Sequence, residues 1–95
     1  MCVMKRLRVD VNQKEIIAFF RECNCSVVDL HAVGKGCPDL LVAIAGQNIL
    51  VEVKSKKGKL TPAQIEFHAQ WNAPIEIIRN VNEAKRLLEK YNVKS

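Results

Sequence analysis

Residues 36–60, GCPDLLVAIAGQNILVEVKSKKGKL, decide how this chain is read. Two apolar runs, 38–45 and 48–55, flank Gly46-Gln47, and both alternate with the period of a strand. That pattern predicts a β-hairpin. A turn at Gly46-Gln47 pairs Leu40 with Val53, Val42 with Val51 and Ile44 with Ile49, so that one face is wholly branched and apolar. The opposite face then pairs Ala43 with Leu50, Leu41 with Glu52 and Asp39 with Lys54, and Glu52 lies diagonal to Asp39. A slip by one residue scatters both faces. The apolar face thus gathers two acids and a lysine at one end of the hairpin.

Working outward, NQKEIIAFFREC at 12–23 has the apolar spacing of a helix, with Asn12 as N-cap and Glu15 completing a capping box. SVVDLHA at 26–32 reads as a strand that runs into a Gly-rich loop, VGKGC. After the hairpin comes a basic loop, KKGK at 56–59. Thr61-Pro62 opens a helix in the favoured order, cap then Pro at N1, running to about Trp71. PIEII at 74–78 is a short strand, and Asn80 caps a last helix, VNEAKRLLEKY. The order α-β-β-β-α-β-α predicts an α/β fold, a mixed β-sheet flanked by helices, in a single domain over 1–95.

Composition narrows the class. A chain of 95 residues, 48% hydrophobic and 26% charged, is composed like a globular protein, and its small size leaves apolar surface that self-association would cover. No segment approaches the ~20 apolar residues that span a bilayer, and MCVMKRLRVD lacks the apolar core of a secretory signal. These features predict a cytoplasmic protein without a membrane partner. The net charge of +5 favours a polyanionic partner, nucleic acid first. Cys23, Cys25, His31 and Cys37 lack the C-x-x-C knuckle, so no zinc is expected, and Cys23 and Cys25 are too close for an ordinary disulfide.

Two readings of Asp39, Glu52 and Lys54 stand side by side. An Asp across from a Lys is an ordinary cross-strand ion pair, worth about 0.2–1 kcal/mol. The second acid exceeds what one lysine needs, and two carboxylates with a main-chain carbonyl and water suit Mg²⁺ or Mn²⁺. Beside a lysine on a basic chain, such an ion points to phosphodiester hydrolysis.

Pro38-Asp39 followed by Glu52-Val53-Lys54 resembles the PD-(D/E)xK nuclease superfamily. NQKEII at 12–17, VGKGCPDLLV at 33–42, ILVEVK at 49–54 and KLTPAQIEFHAQW at 59–71 are together similar to its VRR-NUC (virus-type replication-repair nuclease) group, in the small stand-alone form found in phages. The resemblance implies a restriction-endonuclease-like fold and a metal-dependent endodeoxyribonuclease. Asp39, Glu52 and the Val53 carbonyl would bind Mg²⁺ or Mn²⁺, Lys54 would be the catalytic lysine, and Gln64 would lie near the site. It also implies an acid on the first helix, read here as Glu15, with Asp10 and Gln13 as competitors and a plain capping role as the alternative. Stand-alone members are similar to resolvases, homodimers that nick branched DNA such as Holliday junctions, which makes branched DNA and a second copy the expected partners.

Lys56, Lys57 and Lys59 follow the triad directly and read either as DNA-binding residues or as a solvated loop; Lys35, between glycines, reads the same two ways. His68 and Trp71, a turn apart, read mainly as packing, as do Phe19, Phe20 and Phe67. Two other functions compete with the nuclease: a non-catalytic nucleic-acid-binding module with a nuclease-like core, and an assembly subunit in which the triad is an ion pair.

Overall fold

The computed structural model describes residues 11–91; Asp10, one of the competing acids, and the segment 1–9 lie outside them. Seven elements follow in the expected order: α1 (Val11–Glu22), β1 (Ser26–Asp29), β2 (Leu40–Ile44), β3 (Gln47–Val53), α2 (Pro62–Gln70), β4 (Ile75–Ile78) and α3 (Val81–Tyr91). The four strands form one sheet in the order β1-β2-β3-β4, antiparallel except for the parallel β3/β4 pair. The strand expected over 26–32 stops at Asp29, because the chain turns there: the Asp29 carboxylate accepts from the His31 amide at 2.9 Å.

Strand alternation divides the side chains. Leu40, Val42, Ile44, Ile49 and Val51 share one face with Val27 and Ile78, and all are buried. Ile16 and Phe20, one turn apart on α1, and Ala84 and Leu87 of α3 close over that face, so the core lies between the sheet and these two helices. The opposite face carries a cross-strand row, Val28–Leu41–Leu50–Ile75, set by the three strand pairings. It is only partly covered: Val28 is 52% exposed and Ile77 40%.

The hairpin register differs from the sequence expectation by two residues. Ile44 pairs with Gln47, Val42 with Ile49 and Leu40 with Val51, and the turn is Ala45-Gly46. Both turn residues have positive φ, 52° and 82°, the requirement of a type I′ turn, in which glycine serves best at the second position. A shift of two keeps every side chain on its face but changes its partner. Extending the register by one pair sets Asp39 across from Glu52, not from Lys54.

Asn12 also departs from expectation. It lies inside α1 rather than capping it, and its amide donates to two carbonyls, Lys54 at 3.2 Å and Arg79 at 3.3 Å. The two later caps form as expected. Thr61 Oγ1 accepts from the Gln64 amide at 3.2 Å and Gln64 Oε1 accepts from the Thr61 amide at 2.9 Å, a reciprocal capping box with Pro62 behind it. Asn80 Oδ1 accepts from the Glu83 amide at 2.8 Å.

Candidate active site

Glu52 is the one buried charged residue among those described, with no exposed surface, and it points away from the core. Strand alternation puts it there: Val51 and Val53 face α1 and α3, so Glu52 faces α2. Two α2 side chains one turn apart meet it. Gln64 Nε2 donates to Glu52 Oε2 at 3.0 Å, and His68 Nε2 lies 3.4 Å from Glu52 Oε1. Burial pushes the Glu52 carboxyl up from 4.5 to about 8, helped by a hydrogen bond to Asp39 and by its charge, and opposed by the Lys54 charge.

Asp39 approaches from the start of β2. Its Oδ2 accepts from the Val53 amide at 2.8 Å, which fixes the carboxylate against β3. The Val53 carbonyl leaves the strand on the same side as its N–H, toward the same gap. Cys37, just upstream, feels both acids: burial first, then Glu52 and Asp39, raise its thiol pKa.

Lys54 sits just beyond β3, its amide bonded to the Ile78 carbonyl at 3.0 Å. Its ammonium donates to Gln64 Oε1 at 2.7 Å and forms no ion pair with Asp39 or Glu52. The cross-strand Asp39–Lys54 ion pair therefore does not exist. Gln64 joins the ammonium to the Glu52 carboxyl, and its own position is set by the capping box with Thr61.

Helix α2 fully buries none of its residues, and Gln64 and His68 tie it to β3 through Glu52. Gly36 matters here: at φ +81°, a Cβ on it would collide with the Ala63 carbonyl in the first turn of α2. The loop before Asp39 thus packs backbone to backbone against the helix that carries Gln64 and His68. Trp71, expected in the core, is 46% exposed and stacks on Phe67 with ring centroids 5.4 Å apart. It follows from the shallow seat of α2, which leaves no apolar interior for a ring that large.

Of the residues singled out from the sequence, Asp39, Glu52, Val53, Lys54 and Gln64 come together here. Glu15 does not join them: it is exposed on α1 and makes no hydrogen bond among the described residues. No group of three His, Cys, Asp or Glu side chains among those residues is arranged to hold a metal ion, so the expected ligand role of Glu15 finds no geometric support. Gln13, its competitor, is half-buried on the same helix. Lys35, Lys56, Lys57 and Lys59 are exposed in the two loops that adjoin the site. His68 is the residue passed over. Its Gln64-x-x-x-His68 spacing, one helical turn from a residue already assigned to the site, was the available signal. Burial, then the Lys54 charge, lowers its pKa and favours the neutral ring.

The profile of the VRR-NUC domain matches residues 26–73, from β1 through α2, and so takes in all five converging residues. The chain belongs to the VRR-NUC domain family. A solved structure described as a VRR_NUC domain is similar to it with a TM-score of 0.69 and 28% identity, covering 83% of this chain and 91% of that one. Comparison with curated protein sequences returns no match. The VRR-NUC family is a nuclease family, and the order α-β-β-β-α-β-α with a four-stranded mixed sheet is shared with that structure. In this VRR-NUC domain, no helix among the described residues is long and apolar enough to cross a membrane.

Proposed function

We propose that this VRR-NUC domain is a Mg²⁺- or Mn²⁺-dependent endonuclease that hydrolyses DNA phosphodiester bonds, acting as a homodimer on branched DNA such as Holliday junctions. The observation that carries the reading is the separation of charges at the end of the hairpin. Asp39 and Glu52 oppose one another, while the ammonium beside them is held by a neutral amide, Gln64 Oε1, at 2.7 Å. A structural ion pair would have neutralised the lysine. An ammonium held this way keeps its full charge for a phosphate.

The donor set fits a small divalent cation. A fully buried carboxyl beside a second one, raised to about 8, is short of positive charge. Asp39, Glu52 and the Val53 carbonyl would hold the ion, which retains water in its remaining positions. When bound, the ion supplies charge to polarise a phosphoryl oxygen and to lower the pKa of water. The protein's own groups do the rest. Gln64 aims the Lys54 ammonium, which stabilises charge on the transferring phosphoryl oxygens. The Val53 amide and His68 orient the two carboxyls. Lys35, Lys56, Lys57 and Lys59 supply cationic contacts to the flanking backbone.

The dimer is supported by exposed Val28 and Ile77 and by half-buried Leu41, Leu50 and Ile75 between them, apolar surface that a two-fold interface would cover. Two sites related by a two-fold axis suit strands of opposite polarity at a junction.

Incubating labelled four-way junction, flap, duplex and single-stranded DNA with the protein, with and without Mn²⁺, tests the proposal. Metal-dependent nicking strongest on the junction, lost in Asp39→Ala and Lys54→Ala proteins that still bind DNA, is the expected result. Binding without cleavage under any divalent ion, or full cleavage by both variants, overturns it.

A further inference from the structure

Arg79 follows β4 and is tied down on every side. Its amide donates to Glu83 Oε1 at 2.8 Å, and its carbonyl accepts from Asn12 at 3.3 Å. Its guanidinium reaches across to the loop after β3. Nη1 donates to the Ser55 carbonyl at 2.7 Å and the Gly58 carbonyl at 2.8 Å, with a longer contact of 3.4 Å to that of Lys56. The loop is a tight turn in its own right, the Gly58 amide bonding to the Ser55 carbonyl at 3.1 Å.

Three carbonyls drawn onto one cation leave a turn whose two central residues, Lys56 and Lys57, are exposed. A carbonyl oxygen carries partial negative charge and repels phosphate, so a turn that directs these three toward a guanidinium leaves its lysine side to the backbone of a nucleic acid. The same positive charge could have been avoided by a neutral donor such as Gln. Arg79 instead has no carboxylate on its guanidinium among the described residues, and its charge adds to that of the lysines.

We infer that Arg79 is a positioning residue for nucleic-acid binding: it holds loop 55–58 in the shape that presents Lys56 and Lys57 to a phosphate backbone. The inference rests on the DNA-binding reading of that loop and goes beyond it, because Arg79 lies outside the segment that matches the VRR-NUC profile. It also gives Asn12 a purpose. That side chain bonds the carbonyls of both Lys54 and Arg79, so the catalytic strand end and the strut of the lysine loop share one anchor on α1.

The test uses the whole chain with Arg79→Met, Arg79→Lys, the pair Lys56→Ala/Lys57→Ala, and the combination of the pair with Arg79→Met. Affinity for labelled duplex DNA is read by fluorescence anisotropy in EDTA at several salt concentrations, and amide exchange at Gly58 in the free protein. Arg79→Met is expected to weaken DNA binding about tenfold, with Arg79→Lys in between because an ammonium can still meet some of the carbonyls. Gly58 exchange should accelerate in Arg79→Met. Removing the lysine pair should cost less affinity in the Arg79→Met background than in the unsubstituted protein, since a disordered loop has already lost part of their benefit. Equal costs in both backgrounds, or unchanged Gly58 exchange, overturn the inference. An unsubstituted protein that binds no DNA overturns the nuclease reading and the binding role of the strut together, whereas a binding protein with additive variants overturns the strut alone.

Discussion

Replacing Glu52 with Gln should make the metal-free protein more stable in alkali. The carboxyl has no exposed surface and its pKa is raised from 4.5 to about 8, mainly by burial. Between those values the folded protein binds a proton that the unfolded chain does not. The stability linked to that proton is fully present below pH 4.5 and drains away as the pH rises through about 8. The slope is up to about 1.4 kcal/mol per pH unit. For a domain of this size that corresponds to a fall in melting temperature of about 5–10 °C per unit at the full slope. Glutamine matches the shape, cannot ionise, and still offers Gln64 an acceptor. Melting curves of the two proteins in EDTA from pH 5 to pH 8.5 should therefore lie close together at the acid end and diverge by about 15 °C or more at the alkaline end, Glu52→Gln melting higher. Asp29 and Glu76, whose pKa values are lowered by His31 and by Lys90 and Tyr91, push stability the other way with pH. Both proteins share them, so they cancel in the difference. Melting curves that stay parallel across this range would refute the buried, proton-holding Glu52.

Three further substitutions probe the frame around the site. Ala45→Asn should raise stability by about 0.5–1 kcal/mol in urea unfolding, because Asn accepts the positive φ of 52° that Ala45 adopts at the first turn position; a loss of stability would restore the turn to Gly46-Gln47. Gly36→Ala should lower the melting temperature well beyond Gly34→Ala, since both have positive φ but only Gly36 abuts the Ala63 carbonyl, and equal effects would show that this packing is unimportant. Gln64→Leu removes the acceptor for Lys54 and the donor to buried Glu52, and should cost about 2–3 kcal/mol of stability together with most DNA cleavage.

The fold was legible because periodicity and caps are local. Thr61-Pro62 and Asn80 start helices for reasons contained in a few residues, and the alternation from Leu40 to Val53 separates a core face from a site face in any register that keeps parity. Register itself is another matter. A shift of two preserves every face, so hydrophobic pattern cannot detect it, and the preference of Gly46 for the second turn position had to decide. That shift exchanges the partner of Asp39, and with it the sense of the cluster: opposed carboxyls, with the lysine turned aside to Gln64. Asn12 shows a second limit. A residue that suits a cap chemically is also a side-chain amide able to bond distant carbonyls, and those of Lys54 and Arg79 are 42 and 67 residues away in the chain. Arg79 and His68 act across the fold in the same manner. Trp71 was misjudged because helix spacing says which residues share a face but not how deeply that face is buried.

The opposed pair Asp39 and Glu52 as a cation site is most directly tested by anomalous diffraction from crystals soaked in Mn²⁺, recorded at the manganese absorption edge. A single strong anomalous peak between the two carboxyls, within coordination distance of the Val53 carbonyl and absent in Asp39→Asn crystals, is the predicted result. Manganese bound elsewhere, or a peak that persists when Asp39 is replaced, would contradict it.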